Sequence, residues 1–287
     1  MNTPSKTPPK PWSEMSDGEQ AEVRRKIAAG GFGTELKARR LFAEAGFRTI
    51  ALDYLDKDER VTREVDILGV QKGSEKYSER PKFIHLIVAE VKSHHIWVAG
   101  DDSRLKNAEP SVVRFAIPSW FRAERPASTS EGYALDSDYL EGFRLQARTT
   151  ATSFFQVKEK DDKKDALYEA CTAVVKGIEA IGRPEAEANS GAVENPNFYV
   201  VVPLVILDGN LLGVTYGDDG QFDLAPREHV QRTFSFGTPN YTRKDTCIHI
   251  VTLGYLPTFL QKVVNSEKEA TALAGKLHQR LHQPLPI

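Results

Sequence analysis

Cysteine is scarce in this chain. Cys171 and Cys247 are the only two in 287 residues, which excludes a disulfide-stapled scaffold and a multi-cysteine zinc site. Long apolar runs are missing too, so no segment is built to cross a bilayer. The opening MNTPSKTPPKPW holds four prolines and no apolar stretch, unlike a secretory leader. An excess of charge is also missing. Lys and Arg number 38 against 40 Asp and Glu, a formal net charge of −2, which excludes a protein coated in basic residues. The expected compartment is the cytoplasm. No internal repeat is present. Gly30, Gly31 and Gly33 are not a phosphate loop, because no Lys-Ser/Thr follows at the needed spacing.

What is present is an ordinary globular composition, 40% hydrophobic and 27% charged, with enough length for a sizeable core. Residues 1–15 read as a disordered tail, and 16–287 as a single domain. Ser16 caps a helix to Ala29, with Glu19 in the capping-box position. A second helix runs from Gly33 to Ala45 and stops at Gly46. Phe47–Tyr54, Val61–Val70 and Phe83–Lys92 read as strands. The last is apolar on both faces, as a central strand should be.

The segment 94–150 has weak periodicity and reads as an insertion over one side of the core, which comprises 31–93 and 151–275. A helix is predicted over 163–181, with Leu167, Ala170, Val174 and Ile178 at helical spacing. A polar loop over 183–197 follows. Phe198–Leu207 is a buried strand, Asp208-Gly209-Asn210 a turn, and Leu211–Tyr216 its hairpin partner. Cys247–Leu253 is a further strand, and a last helix starts near Pro257. The order gives an α/β (or α+β) fold: a mixed central sheet flanked by helices.

Four residues carry chemistry: Glu35, Asp66, Glu90 and Lys92. Glu90 and Lys92 alternate on one strand, so they share a face at the end of the apolar run LIVAEVK. A carboxylate and an ammonium there are costly unless they pair or bind something. Asp66 stands between Val65 and Ile67, which are expected to pack on the core face while Asp66 turns away. With the two strands adjacent, Asp66 and Glu90 approach each other, and two carboxylates repel unless a cation lies between them. Oxygen ligands without Cys or His favour Mg²⁺ or Mn²⁺. Glu35 falls on a helical stripe with Phe32, Leu36, Phe42 and Ala43. It is either a metal or metal-water ligand or the ion-pair partner of Arg39 one turn on.

These residues resemble the PD-(D/E)xK nuclease superfamily, the restriction-endonuclease-like fold, with a flavour closest to its Mrr-like and Holliday-junction-resolvase groups. The resemblance rests on GFGTELKARRLFAEAGF with Glu35, REVDILGV with Asp66, and IVAEVKS with Glu90 and Lys92. It covers residues 31–93, and later elements in topology only. Val65 stands where the motif name has proline. The resemblance implies an Mg²⁺ held by Asp66, Glu90, the main-chain carbonyl of Val91, and Glu35 directly or through water. Lys92 then assists hydrolysis of a phosphodiester, with DNA as the expected nucleic-acid substrate. Two rivals remain. One is a silent member of the fold that binds nucleic acid or a partner. The other is a scaffold whose acids form plain ion pairs. A homodimer is compatible with a nuclease that cuts both strands.

The remaining candidates have bland readings. His94-His95 are a solvated strand end, and Asp161–Asp165 a charged helix start. Gln156 and Tyr168 are auxiliary by position alone. Arg24, Arg25, Lys37, Arg39 and Arg40 give the first helices a basic stripe. Trp97, Phe115, Trp120 and Phe121 make a small apolar sub-core, or a stacking surface for unpaired bases. Cys171 and Cys247 are buried and inert.

Overall fold

The computed structural model describes residues 10–29, 31–72, 83–101, 115–116, 151–157, 165–181, 198–217 and 220–281. The expectations for residues 1–9, for the 183–197 loop, for Asp161–Lys164, and for the insertion between 102 and 150 apart from 115–116, lie outside them. So do those for the side chains of His94 and His95.

The fold is a mixed α/β arrangement. Helices α1 (Asp17–Ala29), α2 (Phe32–Glu44), α3 (Ala166–Ile181) and α4 (Leu256–Leu281) flank one nine-stranded sheet. Its strands are β1 (Phe47–Asp56), β2 (Val61–Gln71), β3 (Phe83–Asp101), β4 (Phe115–Ala116), β5 (Ala151–Val157), β6 (Phe198–Tyr216), β7 (Phe222–Arg227), β8 (His229–Thr238) and β9 (Tyr241–Thr252). The main path is β1-β2-β3-β6-β9-β8. β1-β2-β3 is an antiparallel meander, while β3 and β9 both run parallel to β6. Among the described residues, no helix is long and apolar enough to cross a membrane.

The sheet divides the core in two. On one face, α3 packs Leu167, Ala170, Cys171 and Val174 against Val65, Val88, Val205 and Leu207. On the other, α2 and α4 pack Ala38, Phe42, Phe259 and Val263 against Ile67, Ile87, Leu204 and Ile206. α2 and α3 each approach β2 at a glycine. A Cβ on Gly69 would meet the Phe42 ring at 2.6 Å, and one on Gly177 would meet Val65 Cγ2 at 2.6 Å. The capping box is formed: Glu19 N–H donates to Ser16 Oγ at 3.3 Å, and Ser16 N–H to Glu19 Oε2 at 2.6 Å. Cys171 is buried and its thiol is pushed up to about 12 by desolvation. Cys247, expected to be buried, is only partly so, and desolvation pushes its thiol up to about 11.

Four expectations change. The first concerns Asp208-Gly209-Asn210, which does not turn the chain. β6 runs through it, held by parallel pairing to β3 on both sides of the triplet and by β7 beyond it. Tertiary partners override the turn propensity of that triplet. The second concerns β3, which does not end at Lys92 but reaches Asp101, with an irregularity between Ser93 and Ile96. In the third, the buried stripe of α2 is Thr34, Ala38 and Phe42, while Phe32 and Leu36 are exposed. In the fourth, Val65 and Ile67 do not share a face: Val65 packs toward α3 and Ile67 toward α2 and α4.

The last change has a local cause. Ile50 pairs with Leu68, but Leu52 pairs with Val65. Two residues of β2, Asp66 and Ile67, therefore oppose the single Ala51 of β1. This is a β-bulge, which bends a strand and re-aims its side chains.

Candidate functional site

The site forms where β2 and β3 part. Their backbone pairing covers Ile67 to Val70 against Leu86 to Ala89 and ends there. Beyond that point β2 continues beside β1, and β3 continues beside β6. The first residues past the fork are Asp66 and Glu90.

Side chains take over from the interrupted ladder. The Val91 N–H donates to Asp66 Oδ2 at 2.7 Å. In return the Asp66 N–H donates to the Glu90 carboxylate. Lys92 Nζ donates to Glu90 Oε2 at 3.0 Å. Asp66, Glu90, Val91 and Lys92 are thus brought together. Glu90 and Lys92 continue the alternation of Val88, so they share the α3 face.

The electrostatics of this group are strained. Glu90 is 5% exposed. Burial, and next the charge of Asp66, push its carboxyl up to about 7, against the opposing pull of Lys92. Burial also raises Asp66, the Val91 N–H and Lys92 oppose that rise, and Glu35 and Glu64 add to it. One ammonium faces two carboxylates, Glu90 buried and Asp66 half-buried. Burial, followed by the charge of Glu90, also raises the Tyr54 hydroxyl well above its ordinary range, which places Tyr54 beside the site.

Glu35 is not gathered into this group in the same way. It lies on α2, on the opposite side of the sheet, and Arg39 Nε donates to its Oε1 at 2.7 Å. Arg39 also donates to the main-chain carbonyl of Asp66. The helix pair therefore touches the site through backbone. Among the described residues, no group of three or more His, Cys, Asp or Glu side chains is assembled to hold a metal ion. The donor chemistry of the pair itself suits a hard divalent cation: two carboxylates in mutual repulsion and no imidazole or thiolate.

Three features escaped the sequence reading. Arg39 as a bridge to Asp66 was hidden, because a helix pair at i,i+4 has no tertiary signature. Tyr54 looked like a strand end. Asp208 looked like a turn residue; it accepts from Thr34 Oγ1 at 2.8 Å and lies 3.9 Å from Lys37 Nζ, which ties β6 to the start of α2. Tyr168, read as auxiliary, is half-exposed on α3 with its ring 5.4 Å from that of Phe234. Gln156 sits on β5 opposite Trp97.

Comparison of the chain with protein-family models, curated proteins and solved structures gives no match.

Proposed function

We propose that the chain is a metal-dependent nuclease that hydrolyses phosphodiester bonds of nucleic acid, with DNA as the favoured substrate. We also assign it the restriction-endonuclease-like version of its α/β fold. The observation that carries the reading is the fork itself. A bulge turns Asp66 onto the Val91 N–H, next to Glu90 and Lys92, and leaves a buried and a half-buried carboxylate with one cation.

In this reading Asp66, Glu90 and the main-chain carbonyl of Val91 hold Mg²⁺ or Mn²⁺. A bound divalent ion supplies Lewis acidity and offsets the charge of the scissile phosphate. Asp66 is kept in place by the Val91 N–H, and Glu90 by the Asp66 N–H, so the acids are oriented before any ion arrives. Lys92 exchanges Glu90 for the reacting phosphate. There its ammonium orients the attacking water and balances charge on the phosphoryl oxygens. Water oxygen bonds to phosphorus, the bond to the leaving sugar oxygen breaks, and the water's proton leaves with the departing group or solvent. The near-neutral net charge means that substrate is held by local contacts, and binding is salt-sensitive.

The test is nicking of supercoiled plasmid with Mg²⁺ or EDTA, beside Lys92→Ala. Activity that needs the metal and disappears in Lys92→Ala supports the reading. Nicking that is unchanged in EDTA or in Lys92→Ala sinks it.

A scaffold reading has one observation in its favour: Glu35 is satisfied by Arg39 and Glu90 by Lys92. It predicts no rise in melting temperature with Mn²⁺, whereas a binding site stabilises the fold by mass action.

A further inference from the structure

β3 and β6 are each 19 residues long, and only their first halves are covered on the α2/α4 face. Their second halves form a separate arm in which β5 pairs with β3 and β7 pairs with β6. One face of this arm is core: Trp97, Ala99, Ala151 and Leu211 are buried toward α3. The opposite face continues the side that α2 and α4 cover further along, but here none of the described residues covers it. Ile96, Phe155, Val157, Tyr216, Phe222 and Leu224 stand 41% to 70% exposed on it. Val98 and Leu212, in register between Phe155 and Pro226, fill its centre.

Two properties say what covers this face. The first is charge. Past Asp208, which lies at the near edge 3.9 Å from Lys37 of α2, none of the described residues on this face of the four strands is charged. Phosphate backbones are held by Lys and Arg, so nucleic acid is a poor fit. A face without charge meets a copy of itself with no like-charge repulsion, as an isologous two-fold contact requires. The second is area. Three aromatic side chains about two-thirds exposed, with three aliphatic ones, present roughly 600 Å² of apolar surface, and the partly exposed centre adds to it. That is close to the ~800 Å² which one partner gives to a standard interface, and it is at the upper limit for a patch on a monomer.

We propose that this face is a homodimer interface, closed by a second copy of the chain. The proposal is independent of the nuclease reading, since it uses no residue of the fork.

Sedimentation or light scattering on the full chain over a range of concentrations tests it. The expected result is a mass of about twice 32.0 kDa for the wild type. Phe155→Glu with Leu224→Glu should return the mass to that of one chain and weaken self-association at least about tenfold. Tyr216→Ser should weaken it less. Far-UV circular dichroism should stay unchanged in all, because these side chains are exposed. A wild type that stays monomeric at every concentration overturns the proposal. So does a dimer that persists in the double variant, or association that appears only when a single-stranded oligonucleotide is added.

Discussion

Two lysine–carboxylate clusters lie on the α3 side of the sheet, one at each side of Tyr54. In the first, Lys176 Nζ is 2.8 Å from both oxygens of Asp56 and 3.1 Å from Asp58. Arg63 Nε lies 3.2 Å from Asp56, and the Tyr241 ring is 4.9 Å from the ammonium. Burial alone would raise the Asp56 carboxyl, but Lys176 and the Asp58 N–H outweigh it, and Asp56 ends below its ordinary range. Thr238 and other donors lower Asp58 as well. In the second cluster, Lys92 alone faces Asp66 and Glu90, and both acids end above their ordinary range. The chain thus builds a matched ion network and an unmatched one on the same side of the same sheet. The matched network ties the β1–β2 turn to α3 and to the β8–β9 hairpin. The unmatched one ties only β2 to β3, through Asp66 and the Val91 N–H, and its imbalance is what a cation would relieve.

The largest break in this comparison is Lys176→Met. Removing the central ammonium leaves buried Asp56 with Arg63 alone as a counter-ion and Asp58 with neutral donors, and should cost about 3 kcal/mol in urea unfolding. Lys92→Ala should cost much less stability, since its side chain is partly exposed. Its effect should appear instead in plasmid nicking, as a loss of about 10²–10³-fold, the usual magnitude for one group that stabilises developing charge.

Glu90→Gln sharpens the contrast through pH. The folded carboxyl holds its proton up to about 7, against an ordinary 4.5. Folded protein therefore binds more protons than unfolded between those values, and wild-type stability falls as pH rises through that window. Glu90→Gln removes the loss. It should match the wild type below the window and exceed it above pH 7 by on the order of 1–3 kcal/mol in melting experiments. Added Mn²⁺ should narrow the gap by stabilising only the wild type. A variant no more stable than wild type at pH 8 would mean that the two acids are not in conflict. The smallest effect is expected for Glu35→Ala. A helical i,i+4 pair contributes about 0.3–0.5 kcal/mol, and nicking should change less than about tenfold. A loss as large as that of Lys92→Ala would place Glu35 in the site after all.

The elements that carry Glu35, Asp66, Glu90 and Lys92 were legible in the sequence, because helical and alternating patterns flank them closely. The bulge was not. REVDILGV reads as an uninterrupted alternation, and only pairing with β1 shows that two residues oppose one. The misread turn at Asp208-Gly209-Asn210 has the same origin. Local propensity asked for a reversal, while partners on the flanks of β6 kept it extended. β7 and β8 were missed because their apolar residues are interleaved with charged and polar ones, and four of the six β7 residues are exposed. Glu35 shows the limit of a helical wheel. The wheel ranks positions by angle, but which arc is buried depends on where the helix sits on the sheet.

The irregularity between Ser93 and Ile96 works as a phase shifter. Before it, even-numbered residues of β3 such as Val88 and Glu90 face α3. After it, odd-numbered ones such as Trp97 and Ala99 do. β6 passes the same point without a shift, as Leu207 and Leu211 both face α3. Deleting a single residue at 94 or 95 would therefore remove the irregularity and leave Glu90, Lys92 and Trp97 on the α3 face in unbroken alternation. One residue of chain length separates an acid pair and an apolar surface that belong to the same strand but answer to different neighbours.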